Sequence, residues 1–201
     1  MKTQIIKKYF PEFETETLEK LEVAINLHIE WNQKINVISR KDIENIACHH
    51  YLHSLSILKF VNFQNGIEIL DVGTGGGFPG IPLAIVLPKV EFFLIDSVKK
   101  KLKVVEAIKE NLGLKNVHII GKRLEDYPNK HDILTARAVT SLPKFYELVK
   151  NNVKNQILYI KGGDFATELK ELSLPYEIYE IAKKISEPFF ETKKIVSLRI
   201  V

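Results

Sequence analysis

The sequence predicts an α/β fold in which a helical cap precedes a mostly parallel sheet with helices on both faces, and an antiparallel strand pair closes the sheet. Three observations predict it. Strand-like and helix-like runs alternate after Gly66, the first strand runs straight into a glycine-rich loop, and two strand-like segments near the end have no convincing helix between them. Alternation implies parallel strands joined by crossover helices. Two strands joined without a crossover must pair antiparallel. The 201 residues, 45% hydrophobic and 27% charged, suffice for one well-buried core and fall short of two full domains.

The elements follow in order. Residues 17–31 carry Leu18, Leu21, Ile25 and Ile29 at helical steps, and residues 45–61 read the same way. No glycine precedes Gly66 and the one proline there is Pro11, so residues 1–65 read as the helical cap and 66–201 as the sheet domain. Residues 67–72 read as the first strand, 73–80 as the glycine loop and 81–87 as a helix, with Pro82 in its donor-free first turn. Strands are expected at 90–95, 117–120, 133–136 and 157–160, helices at 99–112 and 142–149, and a short helix after Asp164. Segments 176–181 and 195–201 complete seven strands. A parallel sheet ending in an antiparallel hairpin is the Rossmann-like layout of class I methyltransferases, which use S-adenosylmethionine; dinucleotide dehydrogenases normally lack that hairpin.

Composition narrows the setting. The lone Cys48 cannot form an internal disulfide, no run approaches the roughly 20 apolar residues of a membrane span, and the start has no secretory pattern. The expectation is a cytoplasmic monomer without membrane association. The net charge of +4 is mild for a protein that binds nucleic acid by charge alone. Lysines 99, 100, 101 and 103 crowd one helix start, which reads equally as a solvated face.

The chemistry-bearing residues sit at successive strand ends. Glycines let the loop backbone approach a ligand closely, yet Gly75, Gly77 and Gly80 also satisfy the G-x-G-x-x-G spacing of nicotinamide enzymes. No Gly-Lys-Ser/Thr follows, so this is not a P-loop. Asp96 ends the second strand where an acid can accept ribose hydroxyls, although it also reads as a helix N-cap. Arg123, Leu124, Glu125 and Asp126 follow the third strand, where methyltransferases place an acid near the adenine amino group and an apolar side chain against its ring; an ordinary helix start is the plainer alternative. After the fourth strand, Arg137 and Ala138 stand where amine methyltransferases carry Asp/Asn-Pro-Pro-Tyr/Phe. Cys48 lies far from that edge, against a pyrimidine-carbon mechanism with a cysteine nucleophile. An already nucleophilic ring nitrogen survives as acceptor. Arg137 would then meet a base edge or phosphate, or serve only in a structural ion pair.

The run Leu70-Asp71-Val72-Gly73-Thr74-Gly75-Gly76-Gly77-Phe78-Pro79-Gly80-Ile81-Pro82-Leu83 resembles the signature loop of the ribosomal RNA small subunit methyltransferase G family. Further matching pieces are Trp31-Asn32 with Ile35-Asn36, His50-x-Leu52-x-Ser54-Leu55, Leu94-Ile95-Asp96-Ser97 with Lys100, Arg123-x-Glu125, Arg137-Ala138 and Lys161-Gly162. The resemblance implies methyl transfer from S-adenosylmethionine to guanine N7 in small-subunit (16S) ribosomal RNA, with naked RNA or the ribosomal particle as partner. It also implies that Gly73, Phe78, Leu124, Glu125 and Arg137 contact the cofactor with Asp96 nearby; Gly75 and Gly77 join them as loop glycines. Arg123 and Arg137 become candidates for orienting the RNA during catalysis, with Lys100 and Lys161 as further RNA contacts. One departure stands out: His53 occupies a place where the family usually has a carboxylate. His49 and His53 lie four apart, but no convincing third ligand accompanies them, so no metal is expected.

Overall fold

The computed structural model describes residues 1–172 and 174–200. Seven strands form one sheet: β1 (Glu68–Val72), β2 (Glu91–Ile95), β3 (Val117–Ile120), β4 (His131–Arg137), β5 (Val153–Gly162), β6 (Tyr176–Glu180) and β7 (Lys193–Arg199). Their order is β3-β2-β1-β4-β5-β7-β6. Strands β1 to β5 run parallel, and β7 pairs antiparallel with both β5 and β6. The order reverses between β1 and β4, where doubly wound sheets open a crevice at their carboxyl edge.

Side chains alternate across the sheet, as a period of two requires. Leu158, Ile160 and Ile195 join one core with the N-terminal helices, while Ile157, Tyr159 and Val196 join the other. Helices α1 (Gln4–Tyr9) and α2 (Thr15–Asn32) contribute Ile6, Leu21 and Ile25 to the first core. The single turn and a half of α1 is too short to show a repeat, and the sequence reading passes over it.

The helix expected over 45–61 is replaced by a mixed run: a π-helical turn at Ala47–Leu52, α3 at His53–Leu55 and a 3₁₀ turn at Ser56–Lys59. Residues 51–57 are all buried, so the run has no solvent face to set an amphipathic period. The hydroxyls of Ser54 and Ser56 donate back to the carbonyls of His50 and His53, both at 2.6 Å, a pattern that distorts helices.

The remaining helices are α4 (Gly80–Val86), α5 (Lys99–Leu112), α6 (Leu142–Val149) and α7 (Ala166–Lys170). Helices α4 and α5 lie with the first core, and α6 packs Leu142, Phe145 and Val149 into the second. The hairpin expected over 176–181 and 195–201 is present, with Val201 outside the described residues. No described helix is long and apolar enough to cross a membrane.

Candidate active site

The ends of the five parallel strands and the turns after them build the site. The loop after β1 carries Gly73, Gly75 and Gly77, all at positive φ. At Gly77 the requirement is double, because φ is +97° and a Cβ would stand 2.6 Å from Ile81 Cγ1. Asp71 braces the loop from beneath. Fully buried, it accepts hydrogen bonds from Thr74 Oγ1 at 2.5 Å, from the Gly80 amide at 3.0 Å and from Thr135 Oγ1 at 3.1 Å. Burial pushes its carboxyl up to about 6 against those bonds.

A second brace comes from the cap. His28 Nε2 lies 2.6 Å from the Gly76 carbonyl and its Nδ1 lies 2.7 Å from the Tyr51 hydroxyl. Burial pushes the imidazole down to about 4, against its bonds to the Gly76 and Ala24 carbonyls. A neutral ring has one N–H for two carbonyls; on Nε2 it makes the shorter contact, 2.6 Å to Gly76 against 3.1 Å from Nδ1 to Ala24, and leaves Nδ1 a lone pair for the Tyr51 hydroxyl. Nδ1 is then the acceptor for Tyr51. Sequence reasoning missed this clamp; its trace is a histidine continuing the apolar stripe of Leu21 and Ile25.

Asp96 closes the loop from the other side. One carboxylate oxygen accepts the Gly75 amide at 2.9 Å and the other accepts the Val98 amide at 2.8 Å. A carboxylate offers about four lone-pair sites, so acceptor capacity remains for a ligand. Asp96 lines a cleft of about 300 Å³ together with Gly73, Arg123, Leu124 and Glu125. Five of the residues expected around a cofactor or RNA therefore meet in one cavity, of a size at the lower end for small-molecule sites.

Other expected site residues stand elsewhere. Gly75 and Gly77 shape the loop without lining the cleft. Phe78 is 3% exposed and packs against His28, Tyr51 and His50, so its ring belongs to the wall behind the loop. Lys100 is exposed at the start of α5, outside both clefts. Arg137 and Lys161, at the ends of the adjacent strands β4 and β5, line a second cleft of about 200 Å³ with Asp42, His50, Phe189 and Lys193. Lys161 pairs with Glu168 at 3.0 Å.

The turn after β4 is the partition between the two clefts. Ala138 borders the second and Val139 the first. Ala138 has φ of +51°, a conformation most non-glycine residues avoid. The Tyr159 hydroxyl holds the turn by accepting the amides of Val139 and Thr140, at 2.7 and 2.9 Å, and donating to the Thr140 carbonyl. Backbone strain held by surrounding bonds is a mark of functional turns.

Cys48 lines neither cleft and is not set up for covalent catalysis. Burial pushes the Cys48 thiol up to about 11, aided by Glu187 and Asp42, so it is no ready thiolate. His49 stacks on Phe189 with centroids 3.8 Å apart, whereas His53 meets Phe189 and Phe190 edge-on.

The family model for rRNA small subunit methyltransferase G (GidB) matches residues 17–196. The chain belongs to this family. A ribosomal RNA small subunit methyltransferase G of Christiangramia forsetii is 46% identical over 98% of this chain and 97% of its own length. The relative of that name from Bacteroides thetaiotaomicron is 41% identical over 98% of this chain and 100% of its own. Solved structures agree on the class I methyltransferase fold. A SAM-dependent methyltransferase from Aquifex aeolicus superposes with a TM-score of 0.60 at 20% identity, covering 82% of this chain and 100% of that one. Aeropyrum pernix fibrillarin, solved with natively bound S-adenosyl-L-methionine, gives 0.57 at 12% identity over 73% of each chain. The small subunit methyltransferase G family thus embraces both the glycine-loop cleft and the second cleft beyond Ala138, since both lie within the matched residues.

Proposed function

We propose that this protein transfers the methyl group of S-adenosylmethionine to N7 of a guanine in small-subunit (16S) ribosomal RNA. The observation that carries the reading is the pairing of family membership with two adjoining clefts divided by the strained turn at Ala138. The first cleft fits the cofactor. Asp96 has acceptor sites free for ribose hydroxyls, Leu124 offers an apolar surface for a base, Glu125 an acceptor for its amino group, and Gly73 leaves the cleft floor without a side chain. When bound, S-adenosylmethionine supplies an electrophilic methyl group.

The chain's own task is alignment. Guanine N7 has a lone pair and no proton, so its attack needs no general base, and holding the reactants in line accounts for the catalysis. Arg137 and Lys161 face the acceptor cleft, and Arg123 stands at the rim of the cofactor cleft. We assign residues 1–65 as the cap that braces the loop and 66–201 as the catalytic domain of a cytoplasmic monomer. Tritium from labelled cofactor should enter small-subunit RNA and digest to 7-methylguanosine, in Cys48→Ser as in the parent, with activity nearly flat from about pH 7 to 9 because no base of intermediate pKa takes part. Any other methylated nucleoside, or a folded but inactive Cys48→Ser protein, refutes the assignment.

A further inference from the structure

Arg137 is partly buried, and burial pushes its guanidinium down to about 10, yet no carboxylate among the described residues forms an ion pair with it. A buried guanidinium ordinarily recruits one. Here Nη2 donates to His50 Nδ1 at 3.0 Å, Nη1 reaches the His49 carbonyl at 3.4 Å, and the group lies 5.0 Å over the Phe78 ring. The carboxylate stands one step removed: His50 Nε2 lies 2.7 Å from Asp42 Oδ2.

The protonation pattern follows from the partners. Arginine can only donate, so His50 Nδ1 is the acceptor and its proton sits on Nε2, facing Asp42. Burial and the nearby Arg137 charge push His50 down to about 4, which keeps the ring neutral and able to accept. Asp42 is held at both oxygens, because its Oδ1 takes His49 Nδ1 at 2.5 Å. Burial opposes its ionisation, but the two histidine bonds hold its carboxyl below the ordinary range. The π-helical turn at Ala47–Leu52 carries both histidines that converge on this one acid.

We propose that Asp42 and His50 are positioning residues that orient Arg137 without neutralising it, aiming its remaining N–H donors at an oxygen of the acceptor nucleotide in the second cleft. This rests on the reading of the protein as an RNA methyltransferase. Guanidinium has five N–H donors, and the two bonds above leave three. Arg137 keeps some exposure and lines the second cleft, and its Nε is not among the buried unpartnered nitrogens of the described residues. A direct carboxylate would occupy one edge of the fork and cancel the charge; an imidazole spacer fixes direction through its single in-plane lone pair. Lys161 and Lys193 line the same cleft and keep it cationic.

The test separates orientation from structure. Glutamine at position 50 can keep the bond to Asp42 but removes the acceptor facing Arg137, whereas asparagine places its carbonyl oxygen near the former Nδ1. His50→Gln and Asp42→Ala should lose about ten- to a hundredfold in kcat/KM for RNA with unchanged calorimetric affinity for S-adenosylmethionine, and His50→Asn, which keeps the acceptor but not the bond to Asp42, should lose less than His50→Gln. The salt dependence of RNA binding by Arg137→Gln identifies the oxygen: a slope lower by about 0.7–0.9 marks phosphate, an unchanged slope a base oxygen. Nitrogen NMR of the wild-type protein should show His50 protonated on Nε2. A proton on Nδ1, or equal impairment of His50→Asn and His50→Gln, overturns the relay. Absence of methyl transfer by the wild-type protein refutes the RNA reading instead, and the NMR result still decides the relay.

Discussion

Asp96 braces the loop and, in the function proposed above, also holds the ligand. Its two oxygens anchor the Gly75 and Val98 amides, and the residue lines the cleft with acceptor capacity to spare. Asp96→Ala should therefore weaken S-adenosylmethionine binding about ten- to a hundredfold, the equivalent of one charge-assisted hydrogen bond; titration calorimetry reads this, and an unchanged dissociation constant refutes the role. His28 makes a pH-dependent contribution. Its folded-state pKa of about 4 lies below the ordinary 6.5, so between those values the unfolded chain binds a proton that the native one does not. Stability from His28 is then complete above pH 6.5 and falls as pH drops toward 4, by on the order of 3 kcal/mol. Asp71, raised to about 6 by burial, acts in the opposite sense as pH falls from 6. Urea unfolding across pH 4–7 should show a shallower acid decline in His28→Gln than in the parent, and parallel curves would remove His28 from the account. Asp96 was legible from its place after a strand. His28 was not, since a histidine on an apolar stripe shows no partner until Gly76 arrives from 48 residues away.

Two glycines allow a comparison within elements. Gly113 closes α5 at φ of +60° with nothing within 4 Å of where a Cβ would stand, whereas Gly77 combines φ of +97° with a 2.6 Å approach to Ile81. Gly113→Ala should cost about 1 kcal/mol from the backbone alone, while Gly77→Ala adds a clash inside the loop and should cost roughly 2–4 kcal/mol and weaken cofactor binding as well. Denaturant midpoints of the two variants check the ranking; equal shifts would mean the loop yields freely. The strands and α5 could be read locally because their patterns repeat over whole elements. The run after Ile46 could not, since a continuously buried segment has no polar face and its Ser54 and Ser56 hydroxyls bend it.

At the scale of the molecule, RNA binding should depend on more than the net charge of +4. If Arg123 at the cleft rim and exposed Lys100 contact phosphates, log affinity falls linearly with log salt, and removing each contact lowers the slope by about 0.7–0.9. A Lys100→Gln/Arg123→Gln double variant with the parental affinity and slope would reduce both to solvated surface. What the sequence by itself determined was the alternation of strands and helices, the loop after the first strand, the terminal antiparallel pair and the acids at successive strand ends, because each rests on local period or on spacing along one strand-loop-helix unit. Tertiary structure alone decided that Phe78 turns into the wall, that Arg137 lines the second cleft and not the first, and that Asp42, His50 and Arg137 form one chain. Those contacts join segments 87 residues apart across the sheet edge, and no periodicity in a sequence encodes which distant side chain supplies a buried group with its hydrogen bond.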